Sequence, residues 1–281
     1  MFYPKVHDPI LLKEISTEIR RSVIKSLTLA GSGHLGASLG LADLFTCLYF
    51  AILNHDPDDP KFSDRDRLIL SIGHVAPLLY TTLARVGYFP EKELETLRKL
   101  GSRLQGHPGR EHGLPGLELS AGSLGQGLSV SVGRALAGKM NGNSWRVYCI
   151  LGDGELQEGS VWEAAMSASH LKLDHLIAIV DRNGVQIDGK TEAIMALEPL
   201  KEKWKAFGWE VVECDGNNHQ DLISSFHLAQ QVVGKPTVII AYTKMGKGVP
   251  MIEGDHRWHG KAPSEEESSL FLKQLEETTA G

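Results

Sequence analysis

Residues 146–160, RVYCILGDGELQEGS, carry the strongest structural signal in the chain. The segment Arg146–Leu151 is mostly apolar and includes β-branched and aromatic residues. This composition is typical of a strand buried on both faces. The motif Gly152-Asp153-Gly154 then allows a tight turn, and the helical pattern after Gly159 offers unpaired N–H groups to an anion. Because Asp-Gly is also an ordinary turn pair, an idle strand-turn-helix unit is the alternative at this point.

A second strand pattern favours a binding loop over an idle turn. His175–Val180 reads as a strand and leads directly into Asp181-Arg182-Asn183. If the two strands are parallel neighbours, Asp153 and Asn183 reach the same carboxyl edge of the sheet, where open α/β sheets bind ligands. A carboxylate, an amide oxygen and a backbone carbonyl form a hard oxygen site suited to Mg²⁺, which would neutralise a diphosphate.

Strand and helix patterns alternate along the rest of the chain. This order predicts an α/β fold with a mostly parallel central sheet and helices on both faces. Residues 101–127 are different, with seven glycines from Gly106 to Gly127, and so long a loop is more often functional than idle. We expect a single domain over residues 1–281, with 263–281 a solvated acidic helical tail. Further strands are predicted at Arg67–Ile72, Trp209–Glu213 and Thr237–Tyr242, and helices at Leu11–Leu27, Leu41–Leu53, Ala76–Val86, Glu91–Leu100, Gly125–Lys139, Ser160–Leu171 and His219–Val233.

Composition and charge exclude several classes of protein. Apolar residues at 42% and charged residues at 23% of 281 residues are typical of a globular chain, not of a disordered one. The net charge is -6, whereas a protein that binds nucleic acid needs an excess of basic residues, so nucleic acid is not expected as a partner. We expect neither a signal peptide nor a membrane helix, because charges interrupt every long apolar run. The separated Cys47, Cys149 and Cys214 read as buried thiols in a reducing compartment, which predicts a cytoplasmic protein.

Four histidines stand in glycine-flanked loops. His34, His74 and His107 each follow a glycine, and His259 precedes Gly260. A single loop histidine is usually a solvated side chain without a function. Four of them in such loops predict hydrogen-bond donors that converge on a polar substrate.

These features together resemble the transketolase family. The motif Gly152-Asp153-Gly154 with Asn183 thirty residues after Asp153 resembles the thiamine-diphosphate motif of many enzymes, and the ordered histidines narrow the resemblance to transketolases. The resemblance covers nearly the whole chain. It implies a thiamine-diphosphate-binding fold with long glycine-rich active-site loops, and thiamine diphosphate and Mg²⁺ as cofactors. The other motifs that carry it are Gly33-His34, Ser71-Ile72-Gly73-His74, Gly106-His107-Pro108-Gly109, Leu124-Gly125-Gln126-Gly127 and Glu155-Leu156-Gln157-Glu158-Gly159.

The resemblance also implies which residues hold the cofactors. Mg²⁺ would be bound by Asp153, Asn183 and the main-chain carbonyl of Val185. The family usually has proline where this chain has Ser123, a change that a backbone contact tolerates. The cofactor-binding residues that the resemblance implies are His74, Gly122, Ser123, Leu124, Gly152, Asp153, Gly154, Asn183 and His259.

The implied reaction is the transfer of a two-carbon ketol unit from a ketose or ketose phosphate to an aldose or aldose phosphate. The resemblance assigns His34, His107 and His259 to the hydroxyls and reacting oxygens of the sugar, where they would donate hydrogen bonds and shuttle protons. It places Glu158 at a subunit interface, close to the carboxylate that activates the cofactor.

The chain resembles only the first of the three domains of a transketolase. The glutamate that activates the cofactor's aminopyrimidine belongs to the second domain. We therefore expect an N-terminal subunit that works with a C-terminal transketolase subunit, as a heterotetramer of two copies of each chain. One alternative is the α subunit of another thiamine-diphosphate enzyme, such as a 2-oxoacid dehydrogenase, which leaves His34 and His107 unexplained. Another is a non-catalytic module that binds the cofactor.

Overall fold

A parallel sheet forms the centre of the computed structural model, which describes residues 3–280. Five strands pair in the order β1-β2-β3-β7-β6, and every pair is parallel. Two further strands form a small antiparallel hairpin. The strands are β1 (Arg67–Leu70), β2 (Val147–Gly152), β3 (Leu176–Asp181), β4 (Val185–Gln186), β5 (Gly189–Lys190), β6 (Glu210–Asp215) and β7 (Thr237–Tyr242).

Helices cover both faces of this sheet, so the predicted α/β architecture is confirmed. Alternate side chains of β2 enter two different cores: Tyr148 and Ile150 pack into one, and Cys149 and Leu151 into the other. Both faces therefore have to be apolar, which is why the strands read as unbroken hydrophobic runs. The helices are α1 (Pro9–Ala30), α2 (Gly36–Gly40), α3 (Ala42–Cys47), α4 (Ala76–Val86), α5 (Gly127–Met140), α6 (Gly159–His170), α7 (Thr191–Ile194), α8 (Leu200–Ala206), α9 (His219–Gln231) and α10 (Glu265–Ala280). Within residues 3–280, no helix is both long enough and apolar enough to cross a membrane.

Local sequence explains both ends of α1. The Asp8 carboxylate accepts a hydrogen bond from the Ile10 amide at 2.9 Å, and Pro9 opens the helix, where its missing N–H costs nothing. Gly31 ends it in the left-handed conformation, with φ 65°. That conformation is cheap only for glycine, so the helix stops here, a few residues beyond the predicted range Leu11–Leu27.

The predicted helix over Glu91–Leu100 is wrong. The structure has a short 3-10 helix at Glu91–Thr96, after which the chain leaves the helix at Leu97 and Arg98 has a φ of 61°. Leu94 and Leu97 are both buried. The Leu97 amide donates to the Leu94 carbonyl at 3.2 Å, a 3-10 hydrogen bond, and the left-handed conformation of Arg98 then prevents any continuation as an α-helix.

The helix predicted over Leu41–Leu53 also differs, since α3 ends at Cys47 and continues as a π-helical turn, Leu48–Ile52. Every residue of that turn is buried. The sequence patterns do not predict the hairpin β4–β5 or the short helices α7 and α8, because these segments are too short to show a period.

The acidic tail is helical, but only one of its faces is solvated. Phe271 and Leu275 of α10 are buried in the core beside α1. The Phe271 ring meets that of Trp258 edge to face, with centroids 5.0 Å apart. The acidic helix expected here is therefore present, but its inner face is packed and not solvated, and it contacts the loop that carries His259. Met1, Phe2 and Gly281 of the predicted domain 1–281 lie outside the described residues.

Candidate active site

The turn after β2 and the turn after β3 lie side by side. In the parallel register Gly152 pairs with Asp181, and the Asp153 amide donates to the Asp181 carbonyl at 3.1 Å. Asp153 and Asn183 therefore leave the sheet at the same carboxyl edge, as their positions after two adjacent strands predict.

The Asp153 carboxylate is buried and held by four donors. Its Oδ1 accepts from the Gly154 amide at 2.8 Å, and its Oδ2 accepts from the Gly184 amide at 2.7 Å and from Arg182 at 2.9 Å. The Thr191 hydroxyl is a more distant donor to Oδ2, at 3.3 Å. Burial raises the pKa of this carboxyl, and the bonds from Gly184 and Arg182 counteract that rise. With fewer donors on Oδ1, that oxygen is the more available one for a cation.

The neighbouring loop supplies further oxygen atoms. The Asn183 Oδ1 accepts from the Val185 amide at 3.0 Å, while its amide group donates to Asp181 at 2.8 Å. Among the described residues there is no group of three or more His, Cys, Asp or Glu side chains that could hold a metal ion. One carboxylate, one amide oxygen and backbone carbonyls nevertheless fit Mg²⁺, which favours hard oxygen ligands and takes several of them from water or phosphate.

The four histidines singled out from the sequence form one cluster. The ring centroid of His34 lies 5.0 Å from that of His74, 5.6 Å from that of His259 and 6.4 Å from that of His107. The centroids of His74 and His259 are 5.0 Å apart. Residues far apart in sequence thus converge at the same edge of the sheet as Asp153.

Burial keeps these imidazoles neutral near pH 7. It lowers the pKa of His34 to about 4 and that of His74 to about 3, with smaller contributions from the neighbouring histidines. The pKa of His107 and that of His259 are also lowered by burial. A neutral imidazole has one donor and one acceptor nitrogen, so each ring can give a proton to an oxygen or take one from it.

One cavity of about 380 Å³ joins the two groups of residues. Gly154 lies close to Gln186 in the cavity wall, since a Cβ added at Gly154 would lie 3.0 Å from the Gln186 Cβ. Glu158 also lines the cavity, and its side chain is exposed. Ser123 lines an adjacent depression instead of this cavity. The predicted site residues that line the cavity are His34, His74, His107, Gly122, Leu124, Gly152, Asp153, Gly154, Glu158, Asn183, Val185 and His259.

Several residues that line the cavity are not predicted from the sequence as site residues. Gln186, Ile187 and Asp188 come from the hairpin β4–β5, which carries no recognisable pattern. Glu155 could have been found, because it directly follows the Gly-Asp-Gly turn. It is buried and accepts three hydrogen bonds.

Comparison with known proteins shows the family to which this site belongs. A family model described as "Transketolase, thiamine diphosphate binding domain" matches residues 12–276. The chain belongs to this family. It is 41% identical over 262 residues to an apulose-4-phosphate transketolase subunit of Phocaeicola vulgatus, covering 93% of this chain and 92% of that protein. It is 42% identical over 273 residues to a 6-deoxy-6-sulfo-D-fructose transketolase subunit of a Clostridium species, covering 95% and 99%.

A solved structure agrees with this membership of the transketolase family. The transketolase of Campylobacter jejuni superposes with a TM-score of 0.90 at 34% identity, covering 98% of this chain and 43% of that one. The transketolase-like α/β fold is thereby confirmed. The family match also favours the transketolase interpretation over the α subunit of a 2-oxoacid dehydrogenase.

Proposed function

We propose that this chain is the N-terminal, cofactor-anchoring subunit of a two-chain transketolase. It would act in the transfer of a ketol unit from a ketose, or its phosphate, to an aldose, or its phosphate. The observation that carries the proposal is the single cavity in which Asp153 and Asn183 meet four neutral histidines. The oxygen ligands suit a metal diphosphate, and the imidazoles suit the hydroxyls of a sugar.

Asp153, Asn183 and the Val185 carbonyl are the proposed ligands of Mg²⁺. When bound, thiamine diphosphate supplies the nucleophilic carbon that accepts and releases the two-carbon unit. The turn of Gly152 and Gly154 gives the diphosphate space for a close approach, because glycine has no side chain. The remaining proposed contacts to the cofactor are His74, Gly122, Ser123, Leu124 and His259.

His34, His107 and His259 are the proposed proton-transfer and sugar-binding groups. His34 Nδ1 is buried and has no hydrogen-bond partner among residues 3–280, so a ligand group in the cavity can satisfy it. His107 is exposed at the cavity wall. It is therefore positioned to meet a substrate that enters from solvent.

A second chain is proposed because of the names and lengths of the relatives. Two relatives that match nearly end to end are named as transketolase subunits, whereas human transketolase matches over only 42% of its length. The partner would carry the pyrimidine-binding and C-terminal domains and assemble with this chain as a heterotetramer of two copies of each. Glu158, exposed at the cavity, is the proposed interface residue. The cytoplasmic location stays a prediction, supported by three buried, unpaired cysteines.

Reconstitution tests the proposal. The chain is mixed with a C-terminal transketolase subunit from the same genome, and ketol transfer between sugar phosphates is measured with and without thiamine diphosphate and Mg²⁺. We expect activity only when both chains and both cofactors are present. Full activity from this chain alone would contradict the two-chain proposal. Decarboxylation of 2-oxoacids without ketol transfer would favour another enzyme, and cofactor binding without either reaction would favour a non-catalytic module.

A further inference from the structure

Glu155 is a buried carboxylate that the proposed reaction leaves without a role. It follows Gly154 directly, is 2% exposed and forms part of the cavity wall. The groups in residues 3–280 that donate to its carboxylate are one hydroxyl and two backbone amides, with no cationic side chain among them. Its charge is stabilised by hydrogen bonds alone, which is an expensive arrangement unless every bond is well made.

Three donors reach the two carboxylate oxygens. The Ser71 hydroxyl donates to Oε1 at 2.5 Å, and the Gly125 amide donates to the same oxygen at 2.8 Å. The Gly152 amide donates to Oε2 at 3.2 Å. Both oxygens therefore act as acceptors, which is the arrangement that suits an ionised carboxylate.

The three donors belong to three different segments around the cavity. Ser71 follows β1 and leads to His74, Gly125 follows Leu124, and Gly152 opens the turn that carries Asp153. One side chain thus connects three segments that are distant in sequence.

Ser71 extends this connection to the start of α5. Its hydroxyl oxygen accepts from the Gly127 amide at 3.0 Å. A Cβ on Gly127 would lie 2.4 Å from the Ser71 Cβ, so the two backbones are in close contact. This close packing leaves little space for either segment to move without the other.

We propose that Glu155 is a positioning residue that holds the loops of His74, Leu124 and Gly154 in the geometry that receives the diphosphate end of the cofactor. The identity of the ligand rests on the proposed function. The fixing of the loops does not, and it can be tested on the chain without any cofactor.

Glu155→Gln tests the positioning directly. Glutamine has nearly the same shape, but its NH2 group would face a donor where an acceptor is needed, so at least one backbone N–H loses its bond. In amide hydrogen exchange we expect peptides covering 122–128 and 150–154 to exchange at least about ten-fold faster, because these loops open more often. Peptides of α9, which lies away from the cavity, should be unchanged.

Glu118→Gln is the matched control. Glu118 is also buried and accepts from Arg65 at 2.9 Å and from Arg134 at 3.1 Å, but it does not line the active-site cavity. It should destabilise the chain without raising exchange in those two segments. Should Glu155→Gln fail to fold, Ser71→Ala answers the same question, because it removes the link to Gly127. Unchanged exchange in the folded Glu155→Gln, or in Ser71→Ala, overturns the proposal.

Cofactor affinity tests whether this positioning matters for binding. In calorimetry with Mg²⁺ and thiamine diphosphate on the assembled two-chain complex, we expect Glu155→Gln to raise the Kd by about 10- to 100-fold. Glu118→Gln should leave the Kd unchanged. If the wild-type complex binds and Glu155→Gln binds equally well, this inference fails while the proposed function stands. If the wild type does not bind, the proposed function fails, and hydrogen exchange alone decides whether Glu155 fixes the loops.

Discussion

At the residue scale, burial acts in opposite directions on neighbouring side chains of the cavity. It raises the pKa of the Asp153 carboxyl, a rise that the hydrogen bonds from Gly184 and Arg182 counteract. It lowers the pKa of the His34 ring and of the His74 ring. Hydrogen-bond partners, and not burial alone, decide which groups carry charge in the site.

Replacing Asp153 and replacing His107 should have separable effects. Asp153→Ala removes the only carboxylate among the proposed metal ligands, so we expect Mg²⁺-dependent binding of thiamine diphosphate to weaken by more than about 100-fold. His107→Ala should leave that affinity within about two-fold and lower kcat/KM for ketol transfer, because the exposed ring is proposed to bind the sugar and not the cofactor. Calorimetry and steady-state kinetics on the two-chain complex measure both effects. Wild-type cofactor affinity in Asp153→Ala would remove that residue from the site.

The buried histidines should make stability depend on pH. Unfolded histidine titrates near pH 6.5, whereas the folded-state pKa is about 4 for His34 and about 3 for His74. Below pH 6.5 the unfolded chain therefore binds more protons than the folded chain. The contribution of these histidines to the free energy of unfolding is complete above pH 6.5 and decreases as the pH drops toward 4. The measurement is urea unfolding at about pH 7 and at about pH 5. Between these two pH values, His34→Asn and His74→Asn should each lose less free energy of unfolding than the wild type. His55, whose pKa is also lowered to about 4, contributes equally in all three proteins. Identical losses would contradict this assignment.

At the element scale, the loop that carries His259 depends on a helix outside the cavity. Trp258 packs edge to face on Phe271 of α10, and the Lys261 Nζ lies over the Trp258 ring, 4.0 Å from its centroid. The acidic outer face of α10 is solvated, while its inner face buries Phe271 and Leu275. A helix with no residue in the cavity therefore helps to place a residue that lines it.

Phe271→Ala should test this dependence. The ring is fully buried, so we expect the free energy of unfolding to fall by about 3–5 kcal/mol, and hydrogen exchange over residues 256–261 to rise. Leu270→Ala, on the exposed face of the same helix, should change stability by less than about 0.5 kcal/mol. Thermal or denaturant unfolding of both variants gives the comparison. Faster exchange in α10 alone, with 256–261 unaffected, would show that the helix does not support the loop.

At the scale of the whole molecule, the cavity lies at the carboxyl edge of the sheet, and Glu158 is exposed beside it. Two relatives of similar length carry subunit names. The Glu158 carboxylate is therefore accessible to a second chain that packs against this edge.

Glu158→Ala should affect assembly without affecting the fold. The side chain is exposed, so the melting temperature of the isolated chain should stay close to that of wild type. We expect affinity for the C-terminal subunit, measured by analytical ultracentrifugation, to fall by about ten-fold or more, together with ketol transfer. Glu210→Ala, at the opposite edge of the sheet, is the control and should leave both unchanged. Wild-type assembly by Glu158→Ala would place the interface elsewhere.

The successes and failures of the sequence predictions have a common physical cause. Long elements with a strong pattern, such as α1, α4 and the buried strands, are predictable to within a few residues, because burial on one or two faces dictates their periodicity. The prediction for the segment after Pro90 fails, since Leu94 and Leu97 enter the core by a 3-10 turn that local propensity does not reveal. The hairpin that lines the cavity escapes prediction because its strands contain two residues each.

From the sequence alone one can predict the α/β class, the two turns that bear Asp153 and Asn183, and the candidate histidines, because strand burial and turn chemistry are properties of short stretches of chain. Three features appear only in the packed molecule: the His34 ring lies 5.0–6.4 Å from the other three histidine rings, Glu155 joins three segments, and α10 packs against the loop of His259. Those facts depend on contacts between segments distant in sequence. Such contacts form only when both faces of the sheet are covered, and no local pattern specifies them.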